Sequence, residues 1–160
     1  MFENEQIRKI VKVIHEKILV KEIWMLVIMM ATFAIQIASK NSIGVIMNFV
    51  FTIAAVIYFF SAFTYLLIPD ITKYDQFYFK LVGWGSSIMC IGILFKISHY
   101  PMAGMMMDMG LITLGVVILT MVYLRTQKST SLLFIKTIPH RLIVFAMLTV
   151  LMYLVENYAA

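Results

Sequence analysis

The fold is decided by the stretch from Leu81 to Gly110, which reads LVGWGSSIMCIGILFKISHYPMAGMMMDMG. Two apolar runs flank Pro101, and proline interrupts a helix because it lacks the backbone N–H and its ring clashes with the preceding turn. The stretch therefore predicts two apolar helices joined by a tight turn. Lys96 and Asp108 lie inside these runs. A polar site, if the chain has one, is expected around these two charges.

The composition identifies the solvent of these helices. The chain has 160 residues, of which 62% are hydrophobic and 13% are charged. Soluble domains are about 45–50% apolar and about 25% charged, and a chain this short cannot hide such an excess in a core. We therefore expect an integral membrane protein that lies in the lipid bilayer. The single cysteine, Cys90, excludes an intrachain disulfide.

Residues 1–22 form a separate segment with its own pattern. Apolar side chains recur at helical spacing among five basic residues, which predicts a basic amphipathic helix. Next to a membrane, such a helix lies in the interface on anionic lipid, or docks on a protein. The segment is too long and too acidic for the start of a signal peptide, so we interpret the following apolar run as an uncleaved anchor.

Residues 23–160 carry five apolar runs and are interpreted as a single transmembrane domain. A bilayer core of about 30 Å needs about 20 helical residues, and unbroken runs of this length favour helices over strands. The fold class is therefore all-α: a polytopic helical bundle with five transmembrane helices, preceded by the amphipathic helix. Only residues 142–155 of the last run are free of charge, so four helices are the alternative. The spans are expected at about 23–39, 43–68, 81–98, 102–124 and 142–160.

The basic residues indicate the orientation in the membrane. With the N-terminus inside, eleven of the thirteen Lys and Arg residues fall on the inner side, and only Lys40 and Lys96 lie towards the outer side. Cytoplasmic segments carry this excess. We expect a bacterial inner-membrane protein with a cytoplasmic N-terminus. The net charge of +5 is therefore attributed to topology, and no nucleic-acid partner is expected.

The polar residues of the spans are expected near the outer end. Lys96 and Asp108 are equidistant from position 102, and Gln36 and Asn48 are equidistant from position 42, so each pair should share one depth in an antiparallel hairpin. His99 lies beside the Pro101 turn. These five residues are the candidates for an ion or proton pathway.

Helical periodicity groups these charges with glycines. The third run places Gly85, Gly92, Lys96 and His99 on one stripe, and the fourth places Gly104, Asp108, Leu111 and Gly115 on another. Small residues allow close helix packing in lipid, and charges in a span usually face the bundle interior. The four glycines are therefore the predicted packing residues, with a Lys96–Asp108 ion pair between them. The alternatives are an ion or proton site, and a lysine that extends to the headgroups without a partner.

Other kinds of site find little support. The three histidines, His15, His99 and His140, have no metal-ligand spacing, and there is no second cysteine to complete a zinc site. The nucleophile-elbow and phosphate-loop motifs are missing from the sequence. We expect no enzymatic activity, no metal and no cofactor.

One short pattern resembles a known family. Residues 92–103 read GILFKISHYPMA and are followed by Gly110-Leu111, which is similar to the transmembrane hairpin of GldL, the L subunit of the gliding-motility and type IX secretion motor. The resemblance covers about thirty residues and implies use of proton-motive force, with Lys96 and His99 as counterparts of the family's lysine and histidine. The family's acid is a glutamate in the next span. The fourth run has no glutamate here, and Asp108 lies earlier.

Two functional hypotheses follow. The first is a non-enzymatic membrane subunit that packs with other membrane proteins or with itself. The second is an ion- or proton-coupled transport or motor component that uses Lys96, His99 and Asp108.

Overall fold

The computed structural model describes residues 2–17, 21–38, 44–68, 72–126 and 141–151. Regular structure within these ranges is entirely helical, which confirms the all-α prediction. Six α-helices occur there: α1 Phe2–Lys17, α2 Glu22–Ala38, α3 Gly44–Ser61, α4 Lys73–Ile97, α5 Ala103–Thr126 and α6 Arg141–Leu151. A short 3-10 helix, Thr64–Leu67, follows α3.

The long helices have the dimensions of membrane spans. In the described ranges, α3, α4 and α5 are long and apolar enough to cross a bilayer, and the number rises to four if α1 and α2 count as one broken span. The described part of α6 is apolar but shorter. The chain is thus a multi-pass helical membrane protein. The fifth span stays a prediction, because residues 152–160 lie outside the described part of the chain.

Helix α1 turns away from the bundle axis at its base. The axes of α1 and α2 differ by 78°. Helix α1 therefore does not extend α2 along the same axis. Its Val11 and Ile14 are buried, and the helix contacts α3 and the 3-10 helix. The amphipathic pattern therefore docks α1 on its own chain.

The second span is shorter than the apolar run that encodes it. The run extends to about residue 68, but α3 ends at Ser61. The Ser61 hydroxyl donates to the Tyr58 carbonyl at 2.7 Å, and the Thr64 hydroxyl donates to the Ser61 carbonyl at 2.7 Å. Such local bonds offer the backbone an alternative to the helix. Gly83 of α4 lies directly against this turn, since a Cβ there would be 2.5 Å from the Ala62 nitrogen.

The third span starts earlier than its apolar run. Helix α4 begins at Lys73, and the Thr72 side chain caps it by accepting from the Asp75 N–H at 3.2 Å. N-cap threonines satisfy one of the free donors of a helix start. The polar first two turns of α4 thus extend the span beyond the predicted residues 81–98.

Helix α6 belongs to the core of the bundle. Phe145 and Leu148 are fully buried and join the main hydrophobic cluster, which also contains Phe33, Phe51 and Met89 from α2, α3 and α4. The cluster therefore ties the last described helix to the earlier ones.

Candidate functional site

The α4–α5 hairpin has a different register from the predicted one. A Cβ at Gly92 would lie 3.0 Å from the Met107 nitrogen, and a Cβ at Gly110 would lie 2.5 Å from the Met89 sulfur. These contacts centre the hairpin between His99 and Tyr100. The predicted symmetry about position 102 is therefore wrong. Asp108 lies level with residue 91, five residues from Lys96 along α4, which is about 7.5 Å at 1.5 Å per residue.

The face of α5 that meets α4 also differs from the prediction. The buried residues of α5 are Ala103, Met107, Gly110, Leu114 and Val117. Their stripe is rotated by one residue, about 100°, from the predicted stripe. Asp108 is exposed, and Lys96 is half-buried. A direct Lys96–Asp108 pair stays a prediction. The two arguments for it change, because the two residues do not lie at equal depth and the glycine stripe of α5 does not face α4.

The four predicted packing glycines divide into two groups. Gly85 and Gly92 do contact α5, since a Cβ at Gly85 would lie 2.9 Å from the Thr113 side chain. Around Gly104 and Gly115, no described atom lies within 4 Å of an added Cβ. Intrachain packing is therefore found at the α4 glycines, and the two α5 glycines face away from the described bundle. The close contact of Gly110 escaped the sequence analysis.

His99 has a backbone role in the turn. Its φ is +55°, a left-handed conformation. Its N–H donates to the Lys96 carbonyl at 3.2 Å, and the Tyr100 N–H donates to the Phe95 carbonyl at 2.8 Å. The Phe95 and Tyr100 rings are 5.3 Å apart. These are the bonds and the apolar contact of a Schellman motif, whose left-handed position glycine usually occupies. The imidazole itself is exposed.

The two amides lie at the same end of the bundle as the hairpin turn. Gln36 is buried, with its Nε2 3.8 Å from the position of a Cβ at Gly44. Asn48 is exposed, and its Oδ1 accepts from the Ser98 hydroxyl at 3.5 Å. Asn48 is thereby linked to the C-cap of α4, next to His99. The structure thus gathers Asn48 and His99 at this end, whereas Asp108 lies deeper along the outer face of α5.

A second polar centre lies towards the opposite end and was not predicted. Arg141 at the start of α6 donates to Glu22 at the start of α2, through Nε to Oε1 at 2.5 Å and through Nη2 to Oε2 at 3.0 Å. Both side chains are buried. A bidentate pair of this kind combines charge with fixed geometry. It holds the start of α6 to the start of α2.

Two aromatic rings complete this centre. The Arg141 guanidinium carbon lies 4.6 Å from the centroid of the Tyr58 ring, and Tyr58 in turn packs edge-on against Phe145 at 5.6 Å. A cation over an aromatic face gains further stabilisation when it is desolvated. We call Glu22, Tyr58 and Arg141 the ionic junction, which joins α2, α3 and α6.

The sequence did carry a signal for the ionic junction. Glu22 immediately precedes the first apolar run, and Arg141 immediately precedes the fifth. With the predicted topology, both residues fall on the inner side at similar depth. Opposite charges at matching helix ends could therefore have been paired, but the topology prediction uses Arg141 only as one of the eleven basic residues on the inner side.

Metal binding was also considered for the donor groups of the described chain. Within the described ranges, no group of three or more His, Cys, Asp or Glu residues is placed to hold a metal ion. The arrangement offers a buried ion pair at one end. At the other end, around the turn, it offers exposed or half-buried polar groups together with the buried Gln36.

Comparison with known proteins bears on the hairpin. A search of curated proteins and a search of solved structures both gave no match. The family model of the GldL N-terminal domain matches residues 81–133, about a third of the chain. This region includes the later part of α4, the Pro101 turn and all of α5, with Lys96, His99 and Asp108. The resemblance inferred from the sequence pattern is thereby confirmed as a partial match: residues 81–133 are a GldL-like region, whose described part contains the α4–α5 hairpin.

Proposed function

We propose that this protein is a non-enzymatic subunit of an inner-membrane assembly, and that the outer face of α5 packs against a helix of another membrane-spanning chain. The outer face is defined by Gly104, Asp108, Ile112 and Gly115, with Leu119 at its far end. The single observation that carries the proposal is the poor coverage of this helix by the described part of its own chain.

Coverage differs sharply among the three candidate spans. The share of buried residues in the most apolar window is 56% for α4, 39% for α3 and 28% for α5. A helix at the edge of a bundle in lipid needs no further cover if its outer face is purely apolar. The outer face of α5 is not of that kind, since it exposes an aspartate between two glycines.

Glycine and aspartate both favour a protein neighbour over lipid. The position that a Cβ would occupy at Gly104 and at Gly115 has no described neighbour within 4 Å, and such open space beside glycines lets another helix approach closely. A charged residue exposed at the bilayer centre costs about 2.5–3.5 kcal/mol on insertion scales. A neighbouring chain over this face would remove Asp108 from lipid and would fill the space beside both glycines.

The same proposal includes the topology. Helices α2 and α6 start side by side at the ionic junction, so both run from the same end of the bundle. This supports a fifth span that continues α6 in the same direction as α2. The excess of basic residues supports a cytoplasmic N-terminus, and five spans then leave the C-terminus outside. Reporter fusions after Ala160 and within residues 127–140 test it. A cytoplasmic signal after Ala160 would reduce the proposed count to four.

Site-specific photocrosslinking in the native membrane tests the packing face. We expect a photoreactive residue in place of Ile112 to give a crosslink to one discrete polypeptide, identified by mass spectrometry as a second copy or another membrane protein. Phe49 on α3 is the matched control, because its exposed fraction of 68% is within one percentage point of the 67% of Ile112. Equal crosslinking from both positions, or crosslinks to lipid alone, would refute the proposed face.

Proton or ion coupling is the second candidate function. It is supported by the GldL-like match over Lys96 and His99 and by the hydrogen bond of Asn48 to Ser98, the residue before His99, at one end of the bundle. Vesicles that contain the purified protein and a pH-sensitive dye provide the test. Coupling predicts proton flux that the Lys96→Ala variant loses, and unchanged flux in a pH gradient would reject it.

A further inference from the structure

A cleft between α1 and the base of the bundle carries an inference beyond membrane packing. We propose that this cleft binds the phosphate headgroup of one anionic phospholipid, with the start of an acyl chain against its apolar wall. Arg8, Lys9 and Lys12 line one side, and Leu67, Ile68 and Phe79 line the other. The volume is about 710 Å³, within the range of about 300–1,000 Å³ that is typical of ligand sites.

The charge of the cleft suits a single anion. Glu5 and Glu16 also line it, and they pair with Lys9 at 3.5 Å and with Lys12 at 3.9 Å. Three cations therefore face two carboxylates, and the surplus is one positive charge. The two ion pairs occupy Lys9 and Lys12, so Arg8 supplies the surplus charge among the side chains that line the cleft. A phosphodiester carries one negative charge, and a guanidinium binds phosphate oxygens through two parallel hydrogen bonds.

The opposite wall selects a lipid over a soluble phosphate. It is formed by the 3-10 helix, the residue that follows it and the second turn of α4, and its side chains are mainly apolar. A free phosphate gains nothing from such a wall. A phospholipid presents charge and hydrocarbon side by side, which is the pattern that the cleft offers.

The location of the cleft agrees with this occupant. It lies where α3 ends and α4 begins, at the junction between the apolar spans and their polar ends. Helix α1 meets α2 at 78° and therefore runs across the base of the spans. Headgroups occupy this level of a bilayer, and basic amphipathic helices attract anionic ones.

Native mass spectrometry of the full-length protein in a non-ionic detergent tests the site. We compare binding of phosphatidylglycerol with binding of phosphatidylcholine of the same acyl chains. The Arg8→Gln/Lys12→Gln variant converts the surplus positive charge into a surplus negative charge. We expect it to lose about tenfold or more in phosphatidylglycerol affinity, since each cation near anionic lipid contributes about 1 kcal/mol.

The matched control is Lys17→Gln/Lys73→Gln. Both lysines are exposed, lie outside the cleft at the same end of the molecule, and give the same change in net charge. The control should keep its phosphatidylglycerol binding. Equal losses in the two double variants would show general attraction to the surface and would overturn the site, as would equal binding of the two lipids by the unmodified protein.

A third measurement distinguishes binding of the whole lipid from binding of its headgroup alone. Soluble glycerol 3-phosphate should compete with phosphatidylglycerol only weakly, because it lacks the chain that meets Leu67 and Phe79. Full competition at matched concentration would refute the lipid proposal in favour of a soluble anion. A folded state is checked for each variant by its thermal unfolding curve, and all four substituted side chains are exposed, so folding is expected to survive.

Discussion

At the scale of single residues, the bidentate contact between Glu22 and Arg141 is the interaction on which stability is expected to depend most. Both side chains are buried, and a buried charge without its partner is far more costly than an exposed one. The contact also fixes the position of the Tyr58 ring beneath the guanidinium. Stability should therefore respond to this pair more strongly than to any exposed ion pair of the described chain.

Substitution of the pair gives a quantitative prediction. Arg141→Met alone or Glu22→Leu alone should lower the free energy of unfolding by about 3–5 kcal/mol, and the double variant should recover most of the loss. Lys9→Met, which breaks an exposed pair with Glu5, should cost less than about 1 kcal/mol. Unfolding in detergent provides the measurement. Additive losses in the double variant would contradict the coupling.

A second prediction at this scale concerns His99. Its φ of +55° is unfavourable for a residue with a Cβ by about 1–2 kcal/mol. His99→Gly should therefore keep or raise thermal stability, whereas His99→Val should lower it because a β-branched residue tolerates this conformation poorly.

The same glycine variant separates the backbone from the imidazole. If His99 serves in proton coupling, His99→Gly should be stable and inactive. If the residue serves the turn alone, the variant should be stable and active. Loss of stability in His99→Gly would contradict the assigned turn.

At the scale of elements, a glycine-to-leucine substitution is expected to affect stability differently on the two faces of the hairpin. Gly92→Leu should destabilise the chain, because its Cβ meets the Met107 backbone at 3.0 Å. Gly115→Leu has open space and should leave the unfolding temperature of the isolated chain within a few degrees.

Association with the neighbouring helix should depend on Gly115 even though the stability of the isolated chain does not. Gly115→Leu should remove the crosslink from position 112 in the native membrane, because a leucine fills the groove that the neighbouring helix would enter. A destabilised monomer with Gly115→Leu would show that this glycine packs within the chain. A crosslink that survives the substitution would show that the groove is not the contact.

How far the sequence predicts this fold also becomes clear at the scale of elements. Run length and composition were sufficient for helices and for membrane insertion, because both depend on local hydrophobicity. Helix ends were less predictable: α3 stops at Ser61 because of side-chain bonds and a glycine contact from α4. Such contacts arise between elements and leave no periodic signal along the chain.

The candidate site shows the same limit. The residue types at the hairpin turn were found from the pattern, including His99, but the rotation of α5 was not. The apolar and glycine residues of α5 surround the helix almost evenly, so periodicity could not choose between a face with Gly104 and a face with Gly110. The Met89 side chain against Gly110 decides it in the structure.

At the scale of the whole molecule, α6 completes the core that α2, α3 and α4 begin. A chain that ends at Thr126 would lose Phe145 and Leu148 from the core and would leave Glu22 without Arg141. We expect this truncation to accumulate poorly in membranes. Adding Glu22→Leu should restore part of the level, because the remaining defect is then only a lost apolar contact. Membrane immunoblots measure both, and equal levels of the two truncated forms would contradict an ionic contribution.

The separation of Glu22 and Arg141 along the chain also has a consequence in time. The two residues are 119 positions apart, and ribosomes add about 5–20 residues per second. On the order of ten seconds therefore passes between the synthesis of the carboxylate and the arrival of its counterion. During that interval Glu22 lacks the partner that it has in the folded chain. The first long apolar helix can therefore take up its final position in the bundle only after Arg141 has been synthesised, so an early helix of the chain is secured late.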